Sequence, residues 1–143
     1  FTKKNGLVWW NVRDGWPQIS DAVVDYYGGR KRAYETLKTA QREQLVVICD
    51  NRGVYALNET RGPVTGRVRI SDRESGKVVL TCSYDVPANA AAKIGEVSWR
   101  GQGVLDIDYE QGGERGRNWF LYGEIPFGLS QVRKWLDDKR EDE

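Results

Sequence analysis

The run Leu7-Val8-Trp9-Trp10 is apolar at both parities. A strand with one wet face alternates, so this run reads as a parallel strand covered on both faces. Such a strand needs hydrogen-bonding neighbours on each side. Up to about Gln44, however, it is followed only by a loop and a helix. Asp14-Gly15-Trp16-Pro17 marks the loop, and Gly28-Gly29 signals a second turn. From Arg30 onward, Ala33, Leu37 and Ala40 fall at spacings of four and three among Lys, Arg, Glu and Gln. That pattern predicts a helix of about three turns with one narrow apolar stripe, to be laid against a sheet. One strand and one helix close no core, so this segment predicts partners beyond itself. Upstream residues, a second polypeptide cleaved from the same precursor, or a surface on the rest of the chain would each serve.

From Leu45 the pattern changes to period two. Gly, Pro and Asn punctuate it at intervals that suit a small all-β domain. Strands are expected near 45–49, 54–58, 65–71, 77–84, 93–99, 103–109 and 117–122, and seven short strands suit a sandwich. In Arg67-Val68-Arg69-Ile70 and in Leu105-Asp106-Ile107-Asp108-Tyr109, one face is dry and the other wet. Glu74-Ser75-Gly76-Lys77 and Gln111-Gly112-Gly113-Glu114 read as hairpin links. A loop through Pro126 and Gly128 leads to a short helix capped by Ser130, with Val132, Trp135 and Leu136 on one face; the charged stretch from Asp137 to Glu143 is expected to fray.

Composition removes several function classes. The 143 residues are 39% hydrophobic and include 6 Trp and 7 Tyr, enough to build a core and contrary to disorder. A net charge of +1 provides no field to attract a nucleic-acid backbone or an anionic membrane, so neither partner is expected. The longest apolar runs, Gly6 to Trp10 and Leu45 to Cys49, are too short to span a bilayer, and nothing reads as a signal peptide. The chain starts at Phe1 and has no Met, which points to a processed or excised segment. With no His, serine-triad and His-zinc chemistry are excluded within it. Cys49 and Cys82 are too few for a zinc cluster or a disulfide framework, and Cys82 shares its parity with Val78, Leu80 and Tyr84, as a buried thiol would. No metal or cofactor is expected, and the compartment is left unassigned.

Taken whole, Gly6-Leu7-Val8-Trp9-Trp10-Asn11-Val12-Arg13-Asp14-Gly15-Trp16-Pro17, followed by Ser20, Ala22 to Gly28 and Lys31 to Tyr34, resembles a known segment. It is similar to the one that closes the catalytic barrel in β-mannosidases and related exo-glycosidases of glycoside hydrolase family 2. Asn118-Trp119-Phe120-Leu121-Tyr122-Gly123-Glu124-Ile125-Pro126-Phe127 resembles the end of that family's accessory sandwich. The resemblance implies a mainly β chain. Residues 1–44 would be the last strand, loop and helix of a TIM (β/α)8 barrel, and residues 45–143 an immunoglobulin-like β-sandwich with a short C-terminal helix. Where the family often has Asn or another small polar residue before the Asp, this chain has Arg13, a departure that leaves the sugar unspecified.

The resemblance also implies a retaining mechanism, with two carboxyl groups about 5 Å apart on earlier barrel strands. No catalytic residue is therefore carried over to this chain, which is expected to be inactive alone. Its implied partners are a β-linked oligosaccharide or glycoside and the remainder of the barrel, from the same precursor or as a separate chain. Trp10 would stand at the C-terminal end of its strand, where barrel sites are built, as an aromatic wall of the sugar pocket; the alternative is a tryptophan filling the barrel interior. Trp16 is either a rim contact or a loop anchor. Asp14 is a third candidate for substrate contact, although an Asp just after a strand is more often a turn or cap residue, and Asp21 and Asp25 share that judgement. Asp106, Asp108 and Glu110 share one strand face and read as a solvated surface rather than a calcium site. Arg30-Lys31-Arg32 reads as the exposed start of the helix. A competing function class is a carbohydrate-binding sandwich without catalytic activity, using Trp99 and Trp119 to stack on a polysaccharide.

Overall fold

The computed structural model describes residues 9–124 and 126–137. The chain divides into two compact units, with the boundary in sequence between Arg42 and Glu43.

Of the expected strand Leu7 to Trp10, Leu7 and Val8 lie outside the described residues, and Trp9 and Trp10 are not in a strand. Among the described residues of the first unit, extended pairing is reduced to single bridges, Arg13 with Val24 (parallel) and Val24 with Arg30 (antiparallel). A strand apolar on both faces is held by hydrogen-bonding neighbours on each side, and one strand with one helix supplies neither. What holds the segment is a short set of backbone bonds, Asp14 N–H to Val24 O at 3.0 Å, Val24 N–H to Val12 O at 2.9 Å and Lys31 N–H to Val23 O at 2.8 Å. The Gly28-Gly29 turn forms as expected, closed by Asp25, whose Oδ1 accepts the Gly29 N–H at 2.7 Å. Helix α1 spans Arg32–Ala40 and buries no residue. Its apolar stripe is not covered as expected, since Ala33 and Ala40 are exposed and Leu37 is only half-buried.

The second unit is mainly β. Its strands are β1 (Gln44–Ile48), β2 (Gly53–Asn58), β3 (Val64–Asp72), β4 (Val78–Val86), β5 (Ala90–Glu96), β6 (Gly103–Gln111) and β7 (Glu114–Tyr122), followed by α2 (Leu129–Asp137). They form two antiparallel sheets, in the orders β1-β2-β5 and β4-β3-β6-β7. The chain changes sheet between β2 and β3, between β4 and β5, and between β5 and β6. Alternate residues of both sheets point to one shared core, the arrangement of a β-sandwich. Val46, Val54 and Ala56 come from the first sheet, and Val68, Ile70, Val86, Leu105 and Ile107 from the second.

Polar bonds inside this core join the sheets. Gln111, 1% exposed, donates through Nε2 to Leu57 O at 2.8 Å and accepts the Tyr84 hydroxyl at 3.0 Å. Tyr109 Oη donates to Gln44 O at 3.3 Å, and Asn118 Nδ2 to Val46 O at 3.0 Å. A buried polar group without a partner is costly, so these bonds favour one register over its neighbours.

Two strands differ from the sequence expectation. β5 begins at Ala90 rather than near 93, because Ala90, Ala91 and Ala92 pair with Asn58, Leu57 and Ala56. Alanine has little strand preference of its own, and the β2 edge recruits it. β7 begins at Glu114 rather than near 117, because Gly112 and Gly113 both take positive φ (60° and 87°) and turn the chain in two residues. Pairing then resumes at once between Gln111 and Glu114.

The C-terminal helix begins two residues earlier than a Ser130 cap implies, at Leu129, so Ser130 lies in its first turn; Gly128 O accepts the Val132 N–H at 3.0 Å. Trp135 is 4% exposed, packs edge-on against Phe127 at 5.9 Å and donates its indole N–H to Glu74 at 3.3 Å. Arg73 completes this latch, donating to Trp135 O at 2.8 Å while its Nε bonds both oxygens of Asp106, at 3.1 and 3.0 Å. Of the expected charged tail, 138–143 lie outside the described residues.

Candidate functional site

The residues that sequence singles out as a sugar site lie in the first unit, and they differ in exposure. The Asp14 side chain is only 1% exposed. Its Oδ1 accepts the Ser20 hydroxyl and, at 3.2 Å, the Gln18 amide, while its Oδ2 accepts Lys31 Nζ at 2.8 Å. Lys31 Nζ also donates to Ser20 O at 3.2 Å, and Ser20 Oγ accepts the Ala22 N–H at 3.0 Å. The Lys31 and Ser20 bonds hold the Asp14 carboxyl below its ordinary value, against the opposing effect of burial. Both carboxylate oxygens of Asp14 are thus bonded within the first unit, to Gln18, Ser20 and Lys31.

Trp10 and Trp16 take the opposite course. They are 75% and 65% exposed, and among the described residues their rings do not pair with each other. Trp9, Val12, Ile19, Tyr26 and Tyr27 are exposed as well, whereas among the described residues of this unit the buried apolar ones are Ala22 and Val23. Chemically, a bare indole face suits the C–H face of a sugar. Tyr26 and Tyr27 pack edge to face at 5.2 Å, and Arg13 holds the Tyr26 carbonyl at 2.7 Å.

A scan against protein-family models and a search of curated proteins return no match to this chain.

In the second unit, the wet face of β6 is occupied by arginines. Asp106 bonds Arg73, Asp108 bonds Arg117 at 3.0 Å, and Glu110 bonds Arg67 at 2.7 Å with Arg115 at 3.9 Å. Each carboxylate already has a cation beside it, which agrees with the solvated-face reading. Trp99 and Trp119, the candidates for polysaccharide stacking, are both half-buried. Trp99 is held among Phe120 at 5.4 Å, Tyr122 at 5.8 Å and the Arg52 guanidinium at 5.0 Å, so its ring is spent on the core. Cys82 is half-buried rather than fully buried, with burial pushing its thiol pKa up; Cys49 is exposed.

Lys31 is the residue that sequence reasoning missed. In sequence it is the middle of a basic run at a helix start. In the structure it precedes α1 with an extended backbone (φ −79°, ψ 160°), and its side chain turns back to Asp14, seventeen positions earlier. No periodicity links the two, because the chain returns there only through the Gly28-Gly29 turn.

Proposed function

We propose that this chain is the C-terminal part of a retaining glycoside hydrolase of the β-mannosidase-like group of family 2, acting on terminal β-linked sugars. In this reading residues 1–44 are the last strand, loop and helix of a TIM barrel, and residues 45–143 an immunoglobulin-like sandwich. The catalytic carboxylates come from the remainder of the barrel, and this chain contributes the aromatic wall.

The observation that carries the reading is the pair of open indoles, Trp10 and Trp16, on a unit whose apolar residues are mostly uncovered. A closing barrel strand taken with its loop would have this character: its flanks are bare where neighbouring strands belong, and its C-terminal end carries the groups that meet the ligand. A further feature supports the second half. The strand order β1-β2-β5 facing β4-β3-β6-β7 suits an immunoglobulin-like sandwich, with β6 returning beside β3 rather than β5.

The test is hydrolysis of aryl β-mannosides and aryl β-glucosaminides, by this chain alone and by the chain joined to the barrel portion of its precursor. No turnover is expected from the first and steady turnover from the second. In the joined protein, Trp10→Ala raises KM by about tenfold or more with a smaller change in kcat, as loss of a binding wall does. Turnover by the chain alone, or none by the joined protein, overturns the reading.

A further inference from the structure

We propose that Lys31 is a positioning residue for the aromatic loop: through the buried Asp14 carboxylate it fixes residues 15–19 and so sets the direction in which Trp16 meets a sugar. The proposal rests on the reading of Trp16 as a sugar contact.

Residues 15–19 are all exposed, with Ile19 fully so. Hydrogen bonds at the base of the loop converge on Asp14. Its amide is bonded to Val24 O at 3.0 Å, one carboxylate oxygen takes Gln18 and Ser20 from the far end of the loop, and the other takes Lys31 at 2.8 Å. Lys31 also reaches Ser20 O at 3.2 Å, so one ammonium holds the first residue of the turn and the residue that closes it. Without the ammonium, an almost fully buried carboxylate keeps only neutral donors, and an uncompensated buried charge draws in water or rearranges. The exposed segment 15–19, which carries Trp16, is the part that such a rearrangement would release. Arg30, the preceding residue, bridges Val24 through its backbone, but its side chain points elsewhere, pairing with Glu35 at 3.7 Å and lying over the Tyr34 ring at 4.7 Å.

The experiment uses the indole N–H signals of the full chain in nitrogen–proton correlation spectra, with Trp16→Phe identifying the Trp16 signal. In Lys31→Met the Trp16 signal is expected to shift or to be lost by exchange broadening, while those of Trp99, Trp119 and Trp135 and the Val23 amide stay in place. Asp14→Asn is expected to reproduce this, Lys31→Arg to restore the Trp16 signal, and Arg30→Met to leave it unchanged. An unmoved Trp16 signal in Lys31→Met overturns the proposal. Loss of the Val23 amide in the same variant also does so, because Lys31 would then be holding the whole unit rather than aiming its loop. An equal effect of Arg30→Met does so as well, by reducing the cause to general charge.

In the protein joined to its barrel, the Lys31→Met variant is expected to bind a β-linked disaccharide about tenfold more weakly than the wild type. Equal affinity in both refutes the positioning role and leaves the glycosidase reading standing. No sugar response in either, with the loop effect intact, refutes the glycosidase reading and the sugar-facing part of this proposal, leaving the loop anchor alone.

Discussion

Tyr109 on β6 fills the space that a side chain at Gly116 on β7 would take; a Cβ at Gly116 would stand 2.1 Å from Tyr109 Cζ. The two residues are directly opposite in register. The relationship recurs at Tyr84 with Gly66 and at Tyr122 with Gly103, each pair again in register. A ring laid over a glycine of the next strand covers backbone that would otherwise be open and lets a large side chain fit between two sheets.

Gly116→Ala is therefore expected to destabilise the sandwich by about 1–3 kcal/mol through overpacking. Gly62→Ala serves as the control: an added Cβ there meets nothing within 4 Å, and its effect should stay within about 0.5 kcal/mol. Urea unfolding followed by tryptophan fluorescence measures both, and equal stabilities would contradict the packing argument.

Arg73 joins the outer face of β6 to α2, with its side chain 13% exposed and its partner Asp106 35% exposed. Arg73→Met should cost about 1–3 kcal/mol, less than a fully buried pair because water reaches the carboxylate. The sharper expectation is local. Amide exchange should accelerate in α2 while the β3 and β6 core amides keep their protection, and uniform acceleration would show that the latch is part of global stability.

Asn58 is fully buried. It donates to Gly62 O at 2.8 Å and Pro87 O at 2.9 Å and accepts from the Thr60 N–H at 3.0 Å and the Thr60 hydroxyl at 2.6 Å. It ties the β2–β3 loop to the β4–β5 loop. Asn58→Leu strands several buried polar groups and should lower stability by about 2–4 kcal/mol; a thermal midpoint unchanged from wild type would show that water replaces the side chain.

Stability is expected to fall at both ends of the pH range, for reasons that meet at one hydrogen bond, Tyr122 Oη to Asp72 Oδ2 at 2.8 Å. Burial opposes the Asp72 charge, but bonds from Ser75, Tyr122 and the Glu74 backbone outweigh it and hold the carboxyl below its ordinary 3.8. Its contribution is complete above that value and is lost as pH falls through the lowered one. Burial and the Asp72 carboxylate push Tyr122 up to about 12 from 10.0. Its contribution is complete below pH 10 and is lost as pH rises through about 12. Burial also drives Tyr84 upward, steepening the alkaline limb. Denaturation profiles should show a shallower acid limb in Asp72→Asn and a shallower alkaline limb in Tyr122→Phe; identical limbs would contradict both assignments.

Much of the second unit is legible in sequence. Val68 and Ile70 against Arg67 and Arg69 define both faces of β3 from residue order alone, and Gly112-Gly113 announces its hairpin, because alternation and turn chemistry are properties of a few consecutive residues. The Trp10 and Trp16 motif is equally legible. The partner of Asp14 is not, since local grammar says only that an Asp follows a strand and a Lys precedes a helix.

By itself, the sequence determined which segments of the second unit alternate and where they turn. Only the tertiary structure decided which sheet each strand joins, that three alanines become a strand against β2, that Trp99 is spent on the core, and that Lys31 reaches back to Asp14. The division has a physical cause. Alternation and turns follow from backbone geometry over two to four residues, whereas sheet partners and buried ion pairs depend on where distant parts of the chain return, set by the packing of the whole.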